Sequence, residues 1–113
     1  MNLDLQQIVE KGEGVSVEFK SKFNIETIET LVAFANSKGG VVYIGINNSG
    51  QIIGVSLAQE SVQQWVNEIK CKTAPSLMPD VDIIEVDEKK IVAIGNWNIH
   101  SSPFQFKAGT IKG

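Results

Sequence analysis

A double glycine joins a helical pattern to a strand pattern with no linker between them, in the stretch Ala33-Phe34-Ala35-Asn36-Ser37-Lys38-Gly39-Gly40-Val41-Val42-Tyr43-Ile44-Gly45-Ile46. On its N-terminal side Ile25, Ile28, Leu31, Val32 and Ala35 repeat as one helical stripe. On its C-terminal side the chain turns apolar and β-branched. A helix that must stop and reverse into a strand within so few residues needs positions free to take positive φ and to let backbone approach backbone. A phosphate-cradling loop has the same need, but here the glycines precede a strand rather than a helix, which is the wrong polarity for holding phosphate on a helix N-terminus. No G-x-x-x-x-G-K-[ST] occurs either. Asn36, Gly39, Gly40, Gly45, Gly50 and Gly54 are therefore assigned structural turn roles, and ATP binding is kept as a third reading.

The rest of the chain falls into a short alternation of elements. Leu3, Leu5, Ile8 and Val9 predict an N-terminal helix or extension over residues 1–12 that ends at Gly12 and Gly14. Val15, Val17 and Phe19 alternate with Ser16, Glu18 and Lys20, which predicts a half-buried strand with Glu18 and Lys20 on its polar face. Asn24 is placed to cap the central helix, with Glu26 and Glu29 in its first turns. Asn47-Asn48-Ser49-Gly50 reads as the tight turn of a hairpin between Val41–Ile46 and Gln51–Val55. Ser56 and Gln59 have capping-box spacing ahead of a second helix whose stripe is Val62, Trp65, Val66 and Ile69, and which ends before Pro75. Residues 81–86 and 91–97, joined by Asp87-Glu88-Lys89-Lys90, predict a second hairpin. The order is that of an α+β domain: a mixed sheet with two main helices on one face.

The chain's 113 residues make one domain, and a 42% hydrophobic, 20% charged composition is that of an ordinary globular one. No apolar run reaches membrane-span length and no basic-then-apolar leader begins the chain, so a cytoplasmic protein is expected. Cys71 and His100 are each single, which leaves no intrachain disulfide and no Cys/His zinc site. Net charge is -3, and all ten basic residues are lysines. Any affinity for phosphate must be local, and the side chain best suited to bidentate guanine contacts is absent.

Glu13-Gly14-Val15-Ser16-Val17-Glu18-Phe19-Lys20 and Asn47-Asn48-Ser49-Gly50-Gln51-Ile52-Ile53-Gly54, set on either side of the Ala-Phe-Ala-Asn and Gly-Gly stretch, resemble the AlbA-like domain of the Schlafen type. That domain is found in bacterial transcriptional-regulator-type proteins and in Schlafen proteins, and has carried a divergent ATPase label. The match runs from about residue 10 to residue 54. The resemblance implies a two-layer AlbA-like fold and a DNA- or nucleic-acid-binding accessory role. The family pattern continues with an aromatic and an Arg on a further strand, so the chain is expected to be a piece of a larger protein or to lack that strand.

By the same resemblance Glu13 and Glu18 correspond to two glutamates of the metal-dependent ribonuclease site of vertebrate Schlafens, whose third carboxylate comes from the turn occupied here by Asn47 and Asn48. Clustered carboxylates suit Mg²⁺ or Mn²⁺, and an amide at the third position removes one negative charge. The metal set is thus Glu13, Glu18 and Asn47 if the chain is a nuclease; otherwise no cofactor is expected, Glu18 pairs with Lys20 or Lys22, and Glu13 is a solvated loop residue. Lys20, Lys22, Lys38, Lys70 and Lys72 would form a modest phosphate-facing patch if the element ends that bear them converge, scattered surface lysines being the plainer account. Trp65 is expected in the core. Trp97, Phe104 and Phe106 are candidates for stacking bases or for burying a second copy. The preferred function is a non-enzymatic nucleic-acid-associated domain, binding weakly and without sequence preference; the alternatives are a degenerate Schlafen-like metal-dependent ribonuclease and a protein-dimerisation module.

Overall fold

A computed structural model describes residues 5–96 and 105–106 of the chain. Its elements, in order, are α1 (Leu5–Lys11), β1 (Val17–Lys20), α2 (Ile25–Ala35), β2 (Gly40–Ile44), α3 (Ser61–Cys71), β3 (Thr73–Ala74), β4 (Asp80–Val86), β5 (Lys89–Asn96) and β6 (Gln105–Phe106). The main sheet has the order β1-β2-β5-β4, with β1 parallel to β2 and the other pairings antiparallel, and β3 pairs with β6 apart from it. This is an α+β fold on a mixed sheet.

Alternation along the strands sorts the core into two layers. Val42 and Ile44 of β2 and Val92 and Ile94 of β5 lie in one cluster with Ile28, Leu31, Phe34 and Ala35 of α2 and Ile69 of α3. The two main helices therefore share a face. Phe19, Tyr43 and Ile91 belong to a second cluster with Leu5, and Ile8 and Val9 pack on it, so α1 covers part of the opposite face.

The turn after α2 explains its glycines. Gly39, at φ +89°, donates its N–H to the Phe34 carbonyl at 2.9 Å. A Cβ on Gly40 would lie 2.6 Å from the Phe34 ring. The ring closes directly over the strand it feeds, and only a residue without a side chain leaves room. Asn24 caps α2 as the sequence predicts: its side chain accepts from the Glu26 N–H at 3.0 Å, and Thr27 Oγ1 accepts from the Asn24 N–H in return.

Several expected boundaries shift, each for a local reason. β1 starts at Val17 and Val15 is 85% exposed, because Gly14 N–H reaches back to the Val17 carbonyl at 3.0 Å and turns residues 15 and 16 outward. Residues 51–55 do not form the return strand of a hairpin. Both sides of β2 are already taken by β1 and β5, so the segment makes one bridge, Ile46 to Ile52, and then crosses the end of the sheet. The N–H groups of Ile53 and Gly54 both donate to the Gly45 carbonyl at 2.8 Å, and Val55 N–H donates to the Lys90 carbonyl at 2.9 Å. The crossing carries Ile52 on the α1 side and Val55 and Leu57 on the α2 side. Gly45 sits under it: a Cβ there would meet Ile91 Cδ1 at 2.8 Å and the Gly54 Cα at 3.3 Å.

The second helix starts at Ser61 rather than just after Ser56, with Glu60 as an N-cap that makes no side-chain hydrogen bond. Trp65 is half-buried, stacked on Phe23 at 4.8 Å between ring centroids and 6° between planes, at the margin of the core. The β4–β5 hairpin forms, and its loop tightens to Asp87 and Glu88, at φ +51° and +68°. Trp97, His100 and Phe104 lie outside the described residues, as does the side chain of Phe106.

Candidate functional site

Glu13 stands in the loop between α1 and β1, where the return of Gly14 onto Val17 aims it along the strand's outer edge. Its Oε2 accepts the N–H of Phe19 at 2.8 Å. β1 is an edge strand among the described residues, and that N–H faces away from β2, where no described strand receives it. Glu13 is thus the acceptor that an open sheet edge lacks.

Glu18 and Lys20 share a face of β1, and the Lys20 ammonium lies 3.7 Å from Glu18 Oε2 and 3.7 Å from Glu26 Oε1 of α2. Asn47 is drawn into its own turn: Oδ1 accepts from the N–H groups of Ser49 and Gln51, each at 2.9 Å, and Nδ2 donates to Gln51 Oε1 at 3.0 Å. Among the described residues no group of three or more His, Cys, Asp or Glu side chains could hold a metal ion. As donors for a hard dication the three residues fit poorly, since one carboxylate serves a backbone N–H, one faces an ammonium and the amide oxygen already accepts twice.

The five lysines do not share one place. α2 has 11 residues, so at 1.5 Å per residue Lys22, just before it, and Lys38, just after it, are separated by about 16 Å along the helix axis. Lys22 and Lys38 are exposed. Lys72 is bound at 2.7 Å to Glu68 one turn earlier, and Lys70 is half-buried in the last turn of α3. Cys71, beside it, is an exposed free thiol.

Two open clefts flank the tip of the β4–β5 hairpin. One, of about 430 Å³, lies between residues 53–57 and Glu88, Lys89 and Lys90. The other, of about 260 Å³, is bounded by α1, Gly50, Ile52 and the hairpin's Val86 and Asp87. Lys89 lines both. The sequence gives it only as a turn residue, because nothing local shows that the 51–57 crossing comes to lie beside it.

The family model described as "Schlafen, AlbA_2" matches residues 13–108. No curated protein matches the chain. Among solved structures, the DIP2311 protein from Corynebacterium diphtheriae is similar in fold, with a TM-score of 0.66 at 20% sequence identity over 91% of this chain. The chain spans 23% of that protein's length. No helix among the described residues is long and apolar enough to cross a membrane. With the family match covering most of its length, including Glu13, the Gly39-Gly40 turn and the Asn47 turn, the chain belongs to the Schlafen AlbA_2 family.

Proposed function

We propose that this domain is a non-enzymatic nucleic-acid-associated module of the bacterial transcriptional-regulator type, acting in the cytoplasm and touching phosphates weakly and without reading sequence. The observation that favours binding over cleavage is the engagement of the three would-be metal ligands: Glu13 with Phe19 N–H, Glu18 with Lys20, and Asn47 with two backbone N–H groups. A nuclease of the two-carboxylate kind would need those oxygens for Mg²⁺ or Mn²⁺. Family membership supports a nucleic acid as the ligand class, and the exposed Lys22 and Lys38 offer it point charges.

The test is a mobility-shift series on labelled single-stranded DNA, duplex DNA and structured RNA, with and without millimolar Mn²⁺, with RNA integrity followed on denaturing gels. All three should be retarded weakly and the RNA should stay intact. Cleavage that Glu18→Gln abolishes would replace the binding role with the nuclease one. No retardation of any nucleic acid, with the RNA left intact in Mn²⁺, would reject both.

A further inference from the structure

The chain's excess charge sits on one strand. Residues 80–90, which cover β4, the turn after it and the start of β5, hold five carboxylates and two lysines. Their net charge of -3 equals that of the whole chain, so the remaining residues balance to zero. Asp80, Asp82, Glu85, Asp87 and Glu88 are all exposed. Among the described residues the ion-paired carboxylates are Glu18, Glu26 and Glu68, and none of these five.

That strand is also the open edge of the sheet. Along β1, Glu13 accepts the Phe19 N–H and Gly14 bridges to Val17, so the chain's own groups close that side. Along β4 no described strand lies on the outer side. With a two-residue loop at positive φ, Val86 and Lys89 form the closing hydrogen-bonded pair of the hairpin. Alternation then directs the N–H and C=O of Asp80, Asp82, Ile84 and Val86 toward β5, and those of Val81, Ile83 and Glu85 outward. In keeping with this, the carbonyl of Lys90, opposite Glu85, points away from β4 and accepts from Val55. Ile84 and Val86 pack with the cluster under α1 and Val81 with the cluster under α2. Asp80 and Asp82 therefore share the α1 side of the sheet, while Glu85 and Ile83, 53% exposed, lie on the α2 side.

We propose that β4 receives an extended segment of a partner protein as an added strand, one in which lysine or arginine alternates with aliphatic residues. The outward N–H and C=O groups supply the ladder, as in strand addition generally. Basic residues opposite Asp80 and Asp82 make cross-strand pairs of opposite charge, and aliphatic residues on the other face cover Ile83 beside Val81. Charge decides among the occupants an open edge could take. Another copy's β4 brings the same net negative charge, and a nucleic acid brings phosphates, so both are repelled. The edge is shut to its own kind and open to a basic strand, which is selection by repulsion as much as by attraction.

Backbone amide exchange followed by NMR tests this with the 113-residue chain and synthetic peptides of the length of β4. One peptide alternates lysine with valine, one glutamate with valine, and one lysine with proline, which keeps the charge and removes the ladder. The lysine–valine peptide should slow exchange at Val81, Ile83 and Glu85 about tenfold and leave Asp82 and Ile84, already bonded to β5, unchanged. The other two peptides should protect neither set. Asp80→Asn combined with Asp82→Asn, both at exposed positions, should weaken binding of the lysine–valine peptide about fivefold with an unchanged circular dichroism spectrum. Equal protection by the glutamate–valine peptide, lysine–valine binding that leaves the outward amides unprotected, or a double variant that binds like the wild type would each overturn the proposal. Protection of the same amides in the free chain that grows with its concentration would also overturn it, and would give the edge to a second copy.

Discussion

Tyr43 is the chain's one tyrosine, 7% exposed on β2, with its ring 6.3 Å from that of Phe19. Burial raises its phenol pKa above the ordinary 10.0, because the phenolate is the form that loses hydration. Below that ordinary value both the folded and the unfolded chain hold the proton, and stability does not change with pH through this group. Between it and the raised folded value only the unfolded chain has released the proton, so stability falls as pH rises. Urea unfolding should therefore show a loss of stability above about pH 10 that Tyr43→Phe reduces, with phenolate absorbance of the native protein rising later than that of the unfolded chain. A native phenol that titrates at or below its ordinary value would refute the buried placement. The burial itself is legible in the unbroken apolar run from Val41 to Ile44, but the tyrosine's neighbour is not, since Phe19 comes beside it only through the parallel register of β1 on β2. Glu13 shows the same limit. Its acceptor role exists only because the loop returns on β1 and leaves one N–H without a strand.

Elements whose pattern is local were the ones the sequence made plain: α2 with its Asn24 cap, and the β4–β5 hairpin. Those fixed by pairing choices elsewhere were not. The Asn47 turn forms as its residues predict, yet its return strand is lost to competition, because β5 occupies the side of β2 that residues 51–55 would have used. α3 keeps its apolar stripe but sits with only Ile69 fully buried, and its tryptophan rests on Phe23 from the loop before α2. A fully buried Trp→Ala change costs about 3–5 kcal/mol. For a half-buried ring with one stacked partner, Trp65→Ala should cost about 2 kcal/mol, part of it the stacking term of about 0.5–1.5 kcal/mol. Chemical denaturation of Trp65→Ala, Phe23→Ala and the double variant measures both numbers. Single losses that simply add would mean that the rings do not stabilise one another.

At the scale of the whole molecule, an acidic chain with net charge -3 cannot attract nucleic acid as a body, so any affinity depends on which lysines are free and where the fold puts them. Lys20 faces two carboxylates and Lys72 one, while Lys22 and Lys38 stand at opposite ends of α2. A ligand lying at one end of the sheet reaches one of those two and not the other. The number of phosphates neutralised should accordingly be about two to three, and the slope of log affinity against log salt about -2 to -3 on duplex DNA. Lys22→Ala or Lys38→Ala, whichever marks the contacting end, should make that slope shallower by about one, and the other should leave it unchanged. Lys20→Ala and Lys72→Ala should alter it less, because each of those ammonium groups already has a carboxylate beside it. Fluorescence anisotropy of a labelled duplex across a salt series gives all five slopes. A wild-type slope steeper than about -5, or equal losses from Lys22→Ala and Lys38→Ala, would mean that the ligand wraps both ends of α2 and that the surface is larger than the placement of these lysines supports.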